Sequence, residues 1–140
     1  MTLLIISIVL LIGLVLSAIL PADSLKVQRD QKRTQDIEII ADAINEYIVD
    51  NNGLYPTEIK AELTCGVPGN EICATDAASC QGYIDLSELT EYSQYLSVIP
   101  KDFGNRNIYG TGYYVHRNAQ GGVVVCAPNS ETVENLSTSR

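Results

Sequence analysis

Hydrophobic and polar positions divide this chain into three unlike stretches. From Met1 to Leu20 no residue carries a charge; a helix of that length, at about 1.5 Å per residue, reaches roughly 30 Å, enough to cross the hydrocarbon core of a bilayer. Pro21 follows, and because it lacks an N–H and crowds the carbonyl four residues back, it predicts a kink. From Asp36 onward Ile37, Ile40, Ala41, Ile44, Tyr47 and Ile48 recur at helical spacing, while Glu38, Asp42, Asn45 and Glu46 take the other face. Between these stretches Lys26 to Gln35 is polar on every side. It is laced with complementary pairs, Lys26 with Asp30, Asp30 with Arg33 and Lys32 with Asp36, so the helix is expected to run through it. Asp50-Asn51-Asn52-Gly53 ends the helix with turn formers, and Pro56 follows. The prediction is one helix of about 50 residues, roughly 75 Å long. Residues 1–22 form its apolar half and 23–53 an amphipathic half that docks on a head made of residues 54–140.

The head reads as α+β. Asp85-Leu86-Ser87-Glu88 predicts a capping box, with Leu86, Leu89, Tyr92 and Leu96 as the buried stripe of a short helix. Tyr113-Tyr114-Val115-His116-Arg117 and Val123-Val124-Val125-Cys126 are β-rich runs separated by Asn118-Ala119-Gln120-Gly121-Gly122, which predicts an antiparallel hairpin over residues 112–127. The segment 63–81, rich in Gly, Ala, Ser and Thr, is expected to be an ordered surface loop. It holds three of the cysteines Cys65, Cys73, Cys80 and Cys126, whose spacing contains no C-x-x-C pair and so argues against a zinc knuckle or a thioredoxin-type site. Two disulfides are expected, with three connectivities open: one bridge should tie the loop and another should fasten Cys126 near the chain end.

Composition narrows the function. A chain of 140 residues and 15.2 kDa holds one domain and an appendage, and its net charge of −8 with a pI near 4.4 argues against general polyanion binding, so no direct contact with nucleic acid is expected. Signs of catalysis are few. His116 is the only histidine and sits within a predicted strand without a nucleophile motif beside it, so a surface or packing role is expected. Glu38, Asp42, Glu46 and Asp50 line one helix face, but calcium needs convergent oxygens, so the stripe predicts a solvated or subunit-facing surface. No enzyme, metal or cofactor is expected. Asn135-Leu136-Ser137 fits a glycosylation acceptor. All eight tyrosines and Phe103 lie at Tyr47 or beyond, which denies the apolar half-helix a continuous aromatic core.

Taken together, these stretches resemble the type IV pilins and their pseudopilin relatives. Met1-Thr2-Leu3-Leu4 is similar to the start of a mature pilin, and Leu11 to Pro21 to the family's glycine-to-proline stretch. Asp36 to Tyr47 followed by Asp50-Asn51-Asn52-Gly53-Leu54-Tyr55-Pro56 resembles its helix end and YP turn; Tyr95-Leu96 with Ile99-Pro100-Lys101-Asp102 resembles the motif opening the head's sheet. The resemblance runs from Met1 to about Pro128. It implies a fold with one long N-terminal helix, kinked near Pro21, whose C-terminal half packs on a small antiparallel β-sheet head.

The resemblance also implies a life history. Four basic residues, Lys26, Arg29, Lys32 and Arg33, follow the apolar stretch and would by themselves hold the head in the cytoplasm, in conflict with disulfide formation. The conflict disappears if a prepilin peptidase exposes Met1 by removing a basic leader. Met1 is then the candidate for N-terminal methylation. The family's glutamate at the fifth mature position is replaced by Ile5, and Pro21 falls one place early, as a deletion would leave it. The hydroxyls of Thr2 or Ser7, backbone carbonyls or water must then solvate the amine, or the subunit assembles differently; some minor pilins at filament tips also lack the glutamate, so the departure weighs toward a minor subunit. Gly13 and Ser17 offer the small-xxx-small spacing for close helix approach. Thr2, Ile5, Gly13, Ser17 and Pro21 are thus the assembly candidates. The implied function is a structural subunit of a surface filament serving adhesion, motility or DNA uptake. Its partners would be identical subunits and the inner-membrane assembly machinery, with the cytoplasmic membrane as its residence before assembly. The alternatives are a pseudopilin of type II secretion and a single-pass anchored binding domain that does not polymerise.

Overall fold

The computed structural model of the chain describes residues 5–6, 22–57, 59–62 and 64–140. The apolar half-helix predicted over 1–22 and its kink at Pro21 lie outside these residues, apart from the short helical piece Ile5-Ile6 and Ala22. Helix α1 spans Ala22–Asp50, 29 residues and thus about 43 Å. It ends as its sequence predicts. The N–H of Gly53 bonds the carbonyl of Ile48 at 2.8 Å while Asn52 takes a left-handed φ of 56°, a Schellman closure that satisfies a carbonyl the last turn would otherwise orphan.

Four antiparallel strands, β1 (Glu71–Cys73), β2 (Gly110–Arg117), β3 (Val123–Ala127) and β4 (Leu136–Ser139), lie side by side in chain order. The hairpin β2–β3 pairs Tyr114 with Cys126 and Arg117 with Val123. Helix α1 packs across β3 and β4. Ile37, Ile40, Ala41 and Ile44 form the helix side of the core, and Tyr113, Val115, Val123 and Val125 the sheet side; period 3.6 meets period 2 across one interface. Fold class is α+β, with a long N-terminal helix on an antiparallel sheet.

Two strands run where sequence pattern predicts none. β1 interrupts the segment 63–81 read as loop, and β4 occupies the polar tail. β4 pairs its backbone with β3, half-buries Leu136 and Thr138, and exposes Ser137 and Ser139, so an edge strand of four residues needs little apolar surface. A further expectation is corrected at the short helix α2 (Ser87–Thr90). No capping box forms; instead the Asp85 carboxylate accepts from the N–H of Ser87 at 2.9 Å, and Leu86 stands at the cap. After one turn the chain passes through a 3-10 segment, Glu91–Ser93, in which Tyr92 and Ser93 adopt φ of 53° and 54°. Leu86 and Leu89 are buried and Leu96 is partly so, but the two left-handed residues break the helical period and turn Tyr92 outward, 93% exposed.

Candidate functional site

One face of the polar stretch of α1 is buried, while Gln28, Gln31, Lys32 and Gln35 face solvent. Asp30, Arg33 and Asp36 of the helix are buried, because the segment after β3 folds back over Asp30 and Arg33 and Tyr113 of β2 meets Asp36. Asp30 accepts from the backbone N–H groups of Glu131 at 3.0 Å and Thr132 at 2.6 Å, and from the Thr132 hydroxyl at 2.6 Å. Arg33 donates to Asp30 at 2.8 Å, to Glu131 at 3.1 Å and, through Nε, to Asp102 at 3.1 Å. Arg29 grips both oxygens of Glu131 at 2.6 Å each, the bidentate geometry that guanidinium and carboxylate favour. The junction joins the helix to the loop before β2 and to the tail before β4.

Its electrostatics follow from the pairing. Burial opposes ionisation of Asp30, yet hydrogen bonds from Thr132, Arg33 and two backbone N–H groups outweigh it and hold the carboxyl well below the usual range. Burial likewise works against the charge on Arg33, and its hydrogen bonds to Asp30, Asp102 and Glu131 outweigh it, so its pKa rises. The bond from Arg29, opposed by burial and helped by Arg33, lowers Glu131 to about 2. The expected pairs Asp30–Arg33 and Lys32–Asp36 form. Lys26 turns instead to Asp23 at 3.3 Å, since the tail and Arg33 saturate Asp30.

Asp102 is placed by the chain beside it. Its N–H bonds the carbonyl of Thr111 at 2.8 Å, and Gly112 allows the approach. A Cβ at Gly112 would stand 3.0 Å from that of Asp102, on a backbone with φ of +81°, a combination that only glycine tolerates. Next to this junction a groove of about 510 Å³ opens between α1 and the Lys101–Phe103 loop. Leu25 and Phe103 are its exposed apolar walls, 56% and 89% accessible, and Tyr113 reaches it from the core. Lys32 and Lys101 stand on its rim. The groove thus combines open apolar walls with cationic side chains.

The remaining sequence candidates fall as follows. Cys65 bonds Cys126 across 61 residues and Cys73 bonds Cys80 across 7, so one bridge closes the loop and the other fastens the sheet near the chain end. Asn135 is exposed, with a left-handed φ of 56°, where the chain enters β4. His116 is buried in β2, and burial lowers its pKa. Of the acidic stripe, Asp42 binds Arg140 at 2.5 Å and Asp50 accepts from Tyr95 at 3.1 Å; among the described residues no group of three or more metal-ligating side chains converges. Ile5 is helical and 60% exposed, while Met1, Thr2, Ser7, Gly13, Ser17 and Pro21 lie outside the described residues. Among the described residues no helix is long and apolar enough to cross a membrane. Sequence reasoning missed Arg29, Asp102 and Glu131 as members of one junction, and Phe103 as a groove wall. Asp102 alone had a signal, since it closes the Ile99-Pro100-Lys101-Asp102 motif.

Among known proteins, the chain matches no family model, no curated protein and no solved structure.

Proposed function

We propose that this protein is a structural subunit of a type IV pilus-like surface filament, polymerising through its uncharged N-terminal segment and performing no chemistry of its own. The observation that carries the reading is a contrast along the chain: helix α1 buries Ile37, Ile40 and Ile44 beneath a four-stranded antiparallel sheet, while the first twenty residues of the sequence carry no charge at all. Such a segment is stable in lipid or within a sheath of its own kind, so passage from membrane to filament exchanges one apolar environment for another.

The outer side of α1 supports the reading. Val27, Ile39 and Val49 remain exposed on it, apolar surface that neighbouring subunits would cover. Two disulfides staple the head internally and the buried ionic junction ties it to the helix, as suits a subunit displayed outside the cell and pulled along its axis. Before assembly the subunit resides in the cytoplasmic membrane, where a prepilin peptidase and the assembly machinery act on it; afterwards its partners are identical copies.

The test is mass spectrometry of the N-terminal peptide of protein isolated from its own cells, paired with electron microscopy of sheared surface material. A chain beginning at Met1 with a methylated amine, together with long filaments containing this subunit, supports the proposal. The same processed terminus without filaments points to the pseudopilin alternative. An unprocessed upstream sequence, or cleavage after Ala18 or Ala22, removes the filament reading.

A further inference from the structure

Charge is distributed unevenly over the head. Between Arg33 and Lys101 the sequence holds twelve of its 17 carboxylates and, of its 9 bases, Lys60 alone. The cationic groove lies at the beginning of this interval in space, beside Leu25 and Lys32 on α1. At the other end of the helix, about 20 residues or roughly 30 Å away, the segment after α2 forms a projecting acidic corner. Tyr92 stands at its tip, 93% exposed, on a backbone with φ of 53° that continues into Ser93 at 54°. Two consecutive non-glycine residues in the left-handed region are uncommon and strained. The turn brings Tyr95 and Leu96 back onto the carbonyl of Leu89 and the core, and it leaves the ring of Tyr92 in water. Glu88 and Glu91 flank the ring and are exposed.

The groove has the opposite character. Phe103 and Leu25 offer apolar walls left open to solvent. Lys101 is exposed and makes no ion pair among the described residues, and Lys32 remains 64% exposed although it pairs with Asp36. Apolar surface and unmatched positive charge at one end meet apolar surface and unmatched negative charge at the other.

We infer that these two ends are the halves of one contact between copies of this chain: the Glu91–Tyr92 corner of one subunit seats in the Leu25–Phe103 groove of the next. The ring of Tyr92 lies against Phe103 and Leu25, and Glu91 and Glu88 come beside Lys101 and Lys32. Because the two patches differ and lie at opposite ends of the head, the contact is heterologous and propagates rather than closing. It rests on the filament reading above and names the head surfaces that the filament brings together. An anionic membrane would also satisfy the lysines, but it would leave the exposed ring of Tyr92 and the carboxylates beside it without a partner.

The test places the photo-cross-linker benzoylphenylalanine at position 92 of the full-length protein in its own cells. The expected product is an adduct of twice the chain mass whose cross-linked peptide contains Lys101 and Phe103. Lys101→Glu should lower its yield about tenfold or more, and the double variant Glu91→Lys with Lys101→Glu should restore it. Both positions are exposed, so unchanged melting temperatures will show that the variants fold. Adducts on other surfaces of the chain, on other proteins or on lipid overturn the inference, as does failure of the double variant to restore the yield. If Lys101→Glu instead abolishes binding to vesicles of phosphatidylglycerol and phosphatidylcholine with the adduct unchanged, the groove is a lipid site and the inference falls. Sheared filaments seen by microscopy without the groove adduct overturn this contact alone; absence of both overturns the filament reading with it.

Discussion

Asp30 and Thr132, 102 residues apart in the chain, meet through two hydrogen bonds of 2.6 Å, one from the backbone N–H and one from the hydroxyl of Thr132. A carboxylate on the helix thereby does the work of a cap for a distant loop. It gathers two successive N–H groups that no strand or helix satisfies, and it neutralises Arg33 from the side opposite Asp102. The tail is held by charge and geometry, because its own sequence offers little to bury.

Removing Asp30 should therefore release the tail and strand Arg33. In Asp30→Ala the guanidinium keeps Asp102 and Glu131 but loses its shortest partner, and the N–H groups of Glu131 and Thr132 lose their acceptor. A buried pair broken on one side costs about 3–5 kcal/mol, a shift that urea unfolding will resolve. Hydrogen exchange supplies the local test. Amides of Leu136–Ser139 in β4 should lose protection more than those of β2, and equal loss in both strands would show that the latch is not local.

Acid should weaken the protein in two stages. Asp30 and Glu131 are held below their ordinary values of 3.8 and 4.5, Glu131 at about 2, so between these limits the unfolded chain binds more protons than the folded one. Their contribution is complete above about pH 4.5 and is lost as pH falls toward 2. His116 adds an earlier, shallower loss: burial lowers its pKa from 6.5, so the unfolded chain protonates first as pH drops below that value. Melting temperatures measured from pH 8 to 2 should show both limbs. His116→Gln should flatten the first and leave the second.

The two disulfides should differ in worth. Cys65–Cys126 closes a loop of 61 residues and Cys73–Cys80 one of 7; chain entropy assigns them about 4 and about 2 kcal/mol respectively. Replacing Cys65 and Cys126 by Ala should lower stability about twice as much as replacing Cys73 and Cys80. Equal losses in urea titrations would mean that the unfolded chain already holds the larger loop together.

Most of what was legible in the sequence is local. Ile37, Ile40, Ala41 and Ile44 announced the buried face of α1 because a period of 3.6 needs only neighbours to be seen. Asn52 and Gly53 announced its end through their tolerance of positive φ, and the β-branched run Val123 to Val125 announced a hairpin strand. What stayed hidden depends on distant partners or on backbone geometry. Residues 26–35 read as polar on every side, because the burial of Asp30 and Arg33 among them comes from Asp102, Glu131 and Thr132, far away in the chain. β1 and β4, three and four residues long, are too short to display alternation. Tyr92 fits the stripe of a longer helix, and no local signal marks the left-handed turn that throws it outward. Asp102 was singled out for its motif, but its role as a partner of Arg33 emerges only when the loop before β2 is laid against the helix.

Tyr113 offers the sharpest test of the core. Its ring is fully buried and its hydroxyl donates to Asp36 at 2.8 Å, while the other Asp36 oxygen accepts from Lys32. Tyr113→Phe keeps the ring and removes the donor, leaving one oxygen of a buried carboxylate unpaired at a cost of about 1–3 kcal/mol. Burial and then the bond to Asp36 push the phenol's pKa above its ordinary 10.0. A group raised on folding contributes stability that is present below the unfolded value and lost as pH climbs past it. The wild-type chain should thus lose stability above pH 10, and Tyr113→Phe should be weaker at neutral pH yet fall less steeply in alkali. Parallel alkaline limbs for the two proteins would show that the phenol titrates as freely in the fold as in the unfolded chain.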